Sequence, residues 1–262
     1  MATTNYTLTD ITSVVFDGTS LTQVNLDGVS VWPYRKPITI TISSDTSNYT
    51  LQPSAITGYM AGFTDITFVI NSGVVIGSTS NSTTALTISS FASGDTVSVT
   101  NNGYIVGAGG RGGDSNSNND GGGGTAIETT SAVNINNLGI IGGGGGGGGS
   151  RNHTSAVGGS GKNTWTIYQA GGPGGGGAGR TAGAAGTRVS YGGNWPGYAS
   201  AGSLTAGGAG GSGDGGAGAY GGSLGANGST ATHAGGTGGK YLVGSSHVTW
   251  IATGTRLGTS ST

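Results

Sequence analysis

Over much of the first hundred positions, apolar residues recur in short runs at every second place, the period of a strand with one buried face. "SVVFDGTSLTQVNLDGVSVW" (13–32) arranges Val14, Val15, Val24, Leu26, Val29 and Val31 around Asp17-Gly18 and Asp27-Gly28. Asp-Gly readily takes the positive φ of a tight hairpin turn, so the segment predicts a small meander of hairpins, closed by Pro33 and Pro37. "ITITIS" (38–43) alternates strictly, and "ITFVINSGVVIG" (66–77) and "DTVSVTNNGYIVG" (95–107) are further strand candidates rich in β-branched residues. One short helical turn is expected, at Ala55 to Met60. Trp32 and Trp250 stand in strand-like contexts and are expected in the core.

A motif of the form Asn-x-Gly-x-apolar followed by glycine recurs from Asn71 to Gly77, from Asn101 to Gly107 and from Asn137 to Gly142. Its spacing suggests successive β-rungs that present equivalent faces. After the second and third copies the alternation gives way to glycine. Of 61 glycines, 7 fall in residues 1–100 and the remaining 54 in residues 101–262, against a usual share of roughly 7%. The runs include "GAGGRGG" from Gly107, "GGGG" from Gly121, eight glycines from Gly142, "GGPGGGGAG" from Gly171 and "GGTGG" from Gly235. Between 163 and 240 the bulky aliphatics are Ile167, Val189, Leu204 and Leu224, too few for a conventional core. The expected division is a β-hairpin segment (1–37), a β-rich domain (38–106), a glycine-rich domain (107–240) and closing strands (241–262).

Ordering eight glycines costs about 8 to 16 kcal/mol of backbone entropy with no side chain to bury in return, so one run alone would stay unfolded. Several runs together have a solution. If each becomes an extended threefold helix of the polyproline II type, its N–H and C=O groups point outward, and neighbouring runs satisfy one another. Glycine is required because a Cβ would hold the backbones apart, the crowding that also places glycine on the collagen axis. Collagen itself is excluded by the missing Gly-X-Y period and by only 5 prolines. The expected fold is therefore an all-β N-terminal part plus a glycine-rich sandwich of packed polyglycine II helices, with essentially no α-helix.

Charge and chemistry narrow the function. A net charge of −1 with 7% charged residues lacks the basic footprint of nucleic-acid or anionic-membrane binding. The absence of cysteine removes disulfides and thiolate metal sites. No apolar stretch approaches the length of a membrane helix, and "MATTNYTLTD" lacks the regions of an export signal, so a soluble protein is expected. Gly221-Gly-Ser223-Leu-Gly225 fits a nucleophile elbow only as an accident of glycine content. Gly158 to Asn163 imitates a phosphate loop, but Asn163 stands where Ser or Thr is needed. Gly109 to Asp114 starts like a calcium-binding nonapeptide that does not recur. His153, His233 and His247 lack metal-ligand spacing, and no carboxylate pair suggests glycoside hydrolysis. No cofactor, metal or catalytic residue is expected. Aromatic residues, by contrast, crowd the connections between glycine runs. Trp165, Tyr168, Tyr191, Trp195, Tyr198 and Tyr220, with Arg151, His153 and Arg188 as polar partners, are the candidate binding residues. Alternatively such rings shield the ends of the slab.

"NNGYIVGAGGRGG" (101–113), "GGGGTAIETTSAVNINNLGIIGGGGGGGG" (121–149) and "HVTWIATGTRLG" (247–258) resemble the distal tail-fibre adhesins of T-even-like bacteriophages, the receptor-recognising tip proteins. The resemblance covers residues 101–258. It implies variable loops at one end of a polyglycine II sandwich that bind an outer-membrane protein or lipopolysaccharide of a Gram-negative host. By position these loops are Ser150–Val157, Lys162–Gln169, Thr187–Tyr198, Ala219–Leu224 and Asn227–His233. It also implies a place at the tip of a virion tail or tail fibre, with residues 1–37 attaching to another phage tail or fibre protein. Residues 1–100 depart from the family's attachment region and look more like other phage tail-tip segments. The competing reading is a structural or ice-binding glycine-helix protein; the Trp and Tyr clusters speak against it. A depolymerase would need an acidic cleft.

Overall fold

The computed structural model describes residues 35–262 apart from Gly161, preceded by the strand segments 14–16, 19–21, 24–26 and 29–32. Those segments are β1 (Val14–Phe16), β2 (Thr19–Leu21), β3 (Val24–Leu26) and β4 (Val29–Trp32), and they pair antiparallel as β1–β2 and β3–β4. Each Asp-Gly pair falls between the two strands of one hairpin, but lies itself outside the described residues, as does the side chain of Trp32.

From Lys36 the chain winds into a three-sided parallel β-helix. Its first coil is β5 (Lys36–Ile42), β6 (Thr46–Ser47) and β7 (Tyr49–Leu51). The second is β8 (Thr64–Ile70), β9 (Val75–Gly77) and β10 (Leu86–Ile88). The third is β11 (Thr96–Asn101), β12 (Tyr104–Val106) and β13 (Ile127–Thr129), and the fourth begins with β14 (Val133–Asn137) and β15 (Ile140–Gly142). A separate hairpin, β16 (Thr154–Ser160) and β17 (Asn163–Gln169), intervenes before β18 (Lys240–Val243) completes the fourth coil. The last coil is β19 (Val248–Ala252), β20 (Thr255–Leu257) and β21 (Thr259–Ser261). Stacking of the coils produces three parallel five-stranded sheets, ordered β19-β14-β11-β8-β5, β20-β15-β12-β9-β6 and β21-β18-β13-β10-β7. The closing strands thus belong to the same sheets as the strands from Lys36 onward. Two 3-10 turns, Pro53–Ala55 and Ser245–His247, are the helical turns among the described residues, the first slightly upstream of the expected turn.

Inward side chains stack in columns because parallel register places like positions one above another. Ile40, Phe68, Val99, Ile135 and Trp250 form one such column, and Tyr49, Leu86, Ile127 and Leu242 another. Full burial of each large side chain stabilises by about 1.5 to 3 kcal/mol. The column Ile76, Ile105, Ile141 ends in Arg256. Its guanidinium lies 4.8 Å from the Trp250 ring centre and 5.5 Å from that of Tyr241, so a cation covers the half-buried aromatic end of the core. The three Asn-x-Gly motifs occupy the same corner of successive coils. There Asn101 and Asn137 are fully buried: Asn101 Nδ2 donates to Asn137 Oδ1 (2.8 Å), and Asn137 Nδ2 donates to the Thr253 carbonyl (2.9 Å).

All the glycine-rich sequence enters at one other corner, between the second and third strands of a coil. Residues 107–126 are inserted in the third coil and residues 143–239 in the fourth. The sheet ladder continues into the glycine. Tyr104 pairs with Ile140 in β12 and β15, and beyond the strands the N–H groups of Gly107, Gly110 and Gly113 donate to the carbonyls of Gly142, Gly145 and Gly148. The run from Gly143 to Gly149 is buried throughout, and its bonds repeat every third residue. Gly144 and Gly147 donate to Gly124 and Gly121, Gly145 and Gly148 to Ala178 and Gly175, and Gly146 and Gly149 to Ala226 and Ser229. Its carbonyls accept with the same period: those of Gly143, Gly146 and Gly149 from Gly225, Gly222 and Ala219, those of Gly144 and Gly147 from Gly239 and Gly236. Six neighbouring runs thus surround it, three taking its N–H bonds and three supplying its carbonyls. The run 174–179 has the same threefold pattern, donating in turn to 107–113, to 219–222 and to 200–203.

A Cβ on any residue from Gly143 to Gly149 would lie 1.7 to 2.2 Å from a backbone oxygen of a neighbouring run. That distance excludes every side chain. Gly147→Ala, whose Cβ would sit 1.8 Å from the Arg111 oxygen, is expected to lower unfolding stability by at least about 3 kcal/mol. Gly122→Ala meets only Thr237, at 3.2 Å or more, and should cost under about 1 kcal/mol; chemical denaturation of the two variants checks the contrast. Asn137→Leu leaves buried donors and acceptors unpaired in the Asn corner and should cost about 2 to 4 kcal/mol in the same assay.

Candidate functional site

Because successive glycine runs alternate in direction, their connections fall alternately at two ends of the slab. The proximal end meets the β-helix. There Leu224 is buried against Val75, Val106 and Ala178, with Tyr104, Ile140, Leu204 and Leu257 around them. Arg180 covers Gly77 and pairs with Asp45 at 3.4 Å, while Thr181 donates from Oγ1 to the Ser78 carbonyl. The distal end carries five connections: 114–120, 150–169, 188–196, 213–217 and 230–232.

Most of the candidate residues gather at the distal end. Ser150–Val157 and Lys162–Gln169 are not two loops but the two arms of one protruding hairpin, β16–β17, in which Ser155 faces Tyr168 and Gly158 faces Trp165. The Trp165 ring lies over the glycines: a Cβ on Gly158 or Gly159 would strike it. Tyr168, at the hairpin base, packs edge-on against Tyr191 (5.1 Å between ring centres, 86°), and Tyr191 stacks on His153 (4.9 Å, 8°). Gly192, at φ +57°, turns the chain against the Tyr168 ring, and the Asn194 amide donates to the Tyr168 carbonyl. These contacts join the hairpin to the 188–196 loop. Pro196 is buried beside Trp195. Arg188 lies over two outer rings, 5.1 Å from Trp195 of that loop and 3.9 Å from Tyr198 just beyond it. Arg151 lies beside Gly216 of the 213–217 connection.

Exposure separates contact candidates from spacers. Trp165 is 57% exposed, Trp195 62%, Tyr198 76% and Tyr220 64%, whereas Tyr191 and His153 are half-buried and act as internal supports. Burial pushes the His153 pKa below its usual value; its Nδ1 accepts from the Gly171 N–H at 3.0 Å, so the neutral ring carries its proton on Nε2. Ala219–Leu224 does not form a distal loop. It is a returning glycine run whose Leu224 anchors the opposite end, although Tyr220, level with Gly148, stands out from the slab flank near the distal end. Of Asn227–His233, only the last residues turn at the distal end, where His233 donates its N–H to the Ser150 carbonyl.

Sequence reasoning passed over the loop 114–120, which holds the distal end together. Asp114 accepts from Arg111, from Asn119 Nδ2 (2.6 Å) and from the Thr187 N–H, so it bridges to the loop that carries Arg188 and Trp195. Asn116 accepts the His153 N–H at 3.1 Å, and the buried Ser150 hydroxyl donates to Ser117 at 2.6 Å. Burial works against the Asp114 charge, but donors from Arg111, Asn119 and Thr187 outweigh it and bring its pKa down to about 2. Among the described residues no group of three or more His, Asp or Glu could hold a metal ion.

A rigid slab of bonded backbone with aromatic loops concentrated at one end defines a scaffolded recognition protein. The chain matches the phage tail fibre adhesin Gp38 family over residues 37–261 and belongs to it. It is thus a bacteriophage tail fibre adhesin, a virion component at the host-binding end of the fibre. The fold is similar to that of a chain in the crystal structure of the gp37-gp38 adhesin tip complex of the bacteriophage S16 long tail fiber. That match has a TM-score of 0.54 and 23% identity, covering 86% of this chain and 82% of that one. No curated protein matches the sequence.

The depressed Asp114 pKa fixes a pH dependence. The ionised bridge adds its full stability above the carboxyl's ordinary 3.8 and loses it as pH falls through about 2. The stability difference between wild type and Asp114→Asn should therefore be constant above about pH 5 and shrink progressively toward pH 2 in thermal melts.

Proposed function

We propose that the distal face is the surface with which this adhesin binds a bacterial outer-membrane receptor, protein or lipopolysaccharide, for host recognition, and that the protein works by binding rather than catalysis. The observation that carries this reading is the concentration of exposed rings (Trp165, Trp195, Tyr198 and, on the flank, Tyr220) at the end of the slab remote from the β-helix. Arg151, His153, Tyr168, Arg188 and Tyr191 complete the set, the half-buried ones holding the others in place. The slab is read as packed polyglycine II helices, supported by the three-residue period of its hydrogen bonds. Loops fixed in advance lose little conformational entropy on binding, which raises affinity without added contacts.

Attachment to another tail fibre protein belongs to the N-terminal side. At the first coil the strands β5, β6 and β7 are sheet edges, and the inward-facing Ile38, Ile40 and Ile42 are half-buried. The last coil, whose strands β19, β20 and β21 are the opposite edges, carries the Arg256 cap over its aromatic core. A complex of two tail fibre proteins, gp37 and gp38, is what the structural neighbour contains, and an analogous partner is proposed here.

Purified protein added to cells of a susceptible strain should block adsorption of the phage. Exchange of residues 187–198 for those of a relative with another host range should transfer that range. Undiminished adsorption at saturating protein would contradict the reading.

A further inference from the structure

Arg188 is the sole charged residue between Thr187 and Tyr198, and it is half-buried in unusual surroundings for a cation. Its guanidinium lies over two rings, 3.9 Å from the Tyr198 centre and 5.1 Å from that of Trp195. Among the described residues it makes no ion pair and donates no hydrogen bond. The nearby carboxylate of Asp114, which bonds the adjacent Thr187 N–H, is already taken by Arg111 and Asn119. A guanidinium is planar by its own resonance; set over ring faces it keeps N–H donors free, and its fork matches the two oxygens of a carboxylate. We propose that Arg188, Trp195 and Tyr198 form an oxyanion-recognising bracket whose ligand is the carboxylate of an Asp or Glu side chain on an extracellular loop of a receptor protein. This rests on the reading of the distal face as the receptor surface and names the chemistry read there.

The choice of a protein carboxylate over lipopolysaccharide follows from two observations. A phosphorylated saccharide presents several anions and is matched by clustered cations, and this loop has one. Sugars stack on bare aromatic faces, whereas here the guanidinium already covers a face of both rings. One bidentate ion pair flanked by the outer surfaces of Trp195 and Tyr198 is the pattern of a protein hot spot, a charged pair sheltered by apolar contact.

The test measures binding of the full-length protein to cells of a susceptible strain, for wild type, Arg188→Met, Arg188→Lys and Tyr198→Leu, with thermal melts of each. Arg188→Met is expected to bind at least tenfold more weakly. Arg188→Lys should be nearly as weak, because an ammonium keeps the charge but loses the fork and the stack. Tyr198→Leu, altered at an outward ring, should lose about fivefold and keeps the test valid if an Arg188 variant misfolds. Amidation of cell-surface carboxylates with carbodiimide and glycinamide should bring wild type down to the level of Arg188→Met and leave that variant unchanged. Purified lipopolysaccharide of the same strain should not compete. Wild-type affinity in Arg188→Lys, or competition by lipopolysaccharide that depends on Arg188, would overturn the bracket while leaving the distal-face reading intact. Failure of wild type to bind cells at all would overturn both.

Discussion

Everything distal to the β-helix depends on backbones approaching one another more closely than any side chain permits. With carbonyl oxygens at 1.7 to 2.2 Å from the Cβ positions of Gly143 to Gly149, glycine there is a steric requirement. Its conformational freedom is a cost, offset because each N–H and C=O finds a partner on a neighbouring run. No run could form alone, since its partners lie on six others. Packing is therefore collective, and it needs a starting template. The parallel pairing of β12 with β15 supplies one: the ladder from Tyr104–Ile140 passes without interruption into Gly107–Gly142 and on to Gly113–Gly148. The β-helix fixes the relative height of the first two outgoing runs, and later runs add to them.

This division of labour separates the scaffold from the distal surface. The scaffold's inner runs are backbone bonded to backbone, so the identity of a distal side chain has little leverage on them. The distal loops are held instead by a few polar and aromatic contacts among themselves, notably Asp114 with Thr187, Asn116 with His153, and Tyr191 between His153 and Tyr168. Proximal turns are anchored differently, by Leu224 in an apolar niche and Arg180 over Gly77. The two ends of the slab are thus held by different kinds of contact.

Much of this was legible in the residues. Strand alternation, the Asn-x-Gly rungs and the need for collectively packed glycine runs all follow from periodicity and backbone entropy. The five-coil β-helix was hidden because its third and fourth coils are interrupted by residues 107–126 and 143–239, which separates β15 from its partner coil strand β18 by most of the glycine-rich sequence. Aromatic content singled out Trp165, Trp195 and Tyr198 as binding candidates without deciding between contact and shielding, and it gave no weight to 114–120, a stretch of Asp, Ser and Asn whose task is hydrogen bonding. Ala219–Leu224, taken as a loop by position in the family resemblance, is instead a returning run that ends at the proximal side. Runs alternate direction, so connections alternate ends, yet turns as slight as those at Arg180–Ala182 and Ser203–Thr205 leave almost no punctuation in glycine-rich sequence.

The glycine runs form a mutually bonded scaffold rather than a tether. Amide hydrogen exchange over Gly142–Ser150 in the native protein tests it most directly, because every N–H from Gly144 to Gly149 is buried and bonded to another run, and that of Gly143 to Leu257 of β20. The account predicts protection comparable to that of the β8 and β11 core strands, and far above that of the exposed β16–β17 hairpin a few residues later. Exchange of Gly143–Gly149 at the rate of an unstructured glycine chain would contradict it.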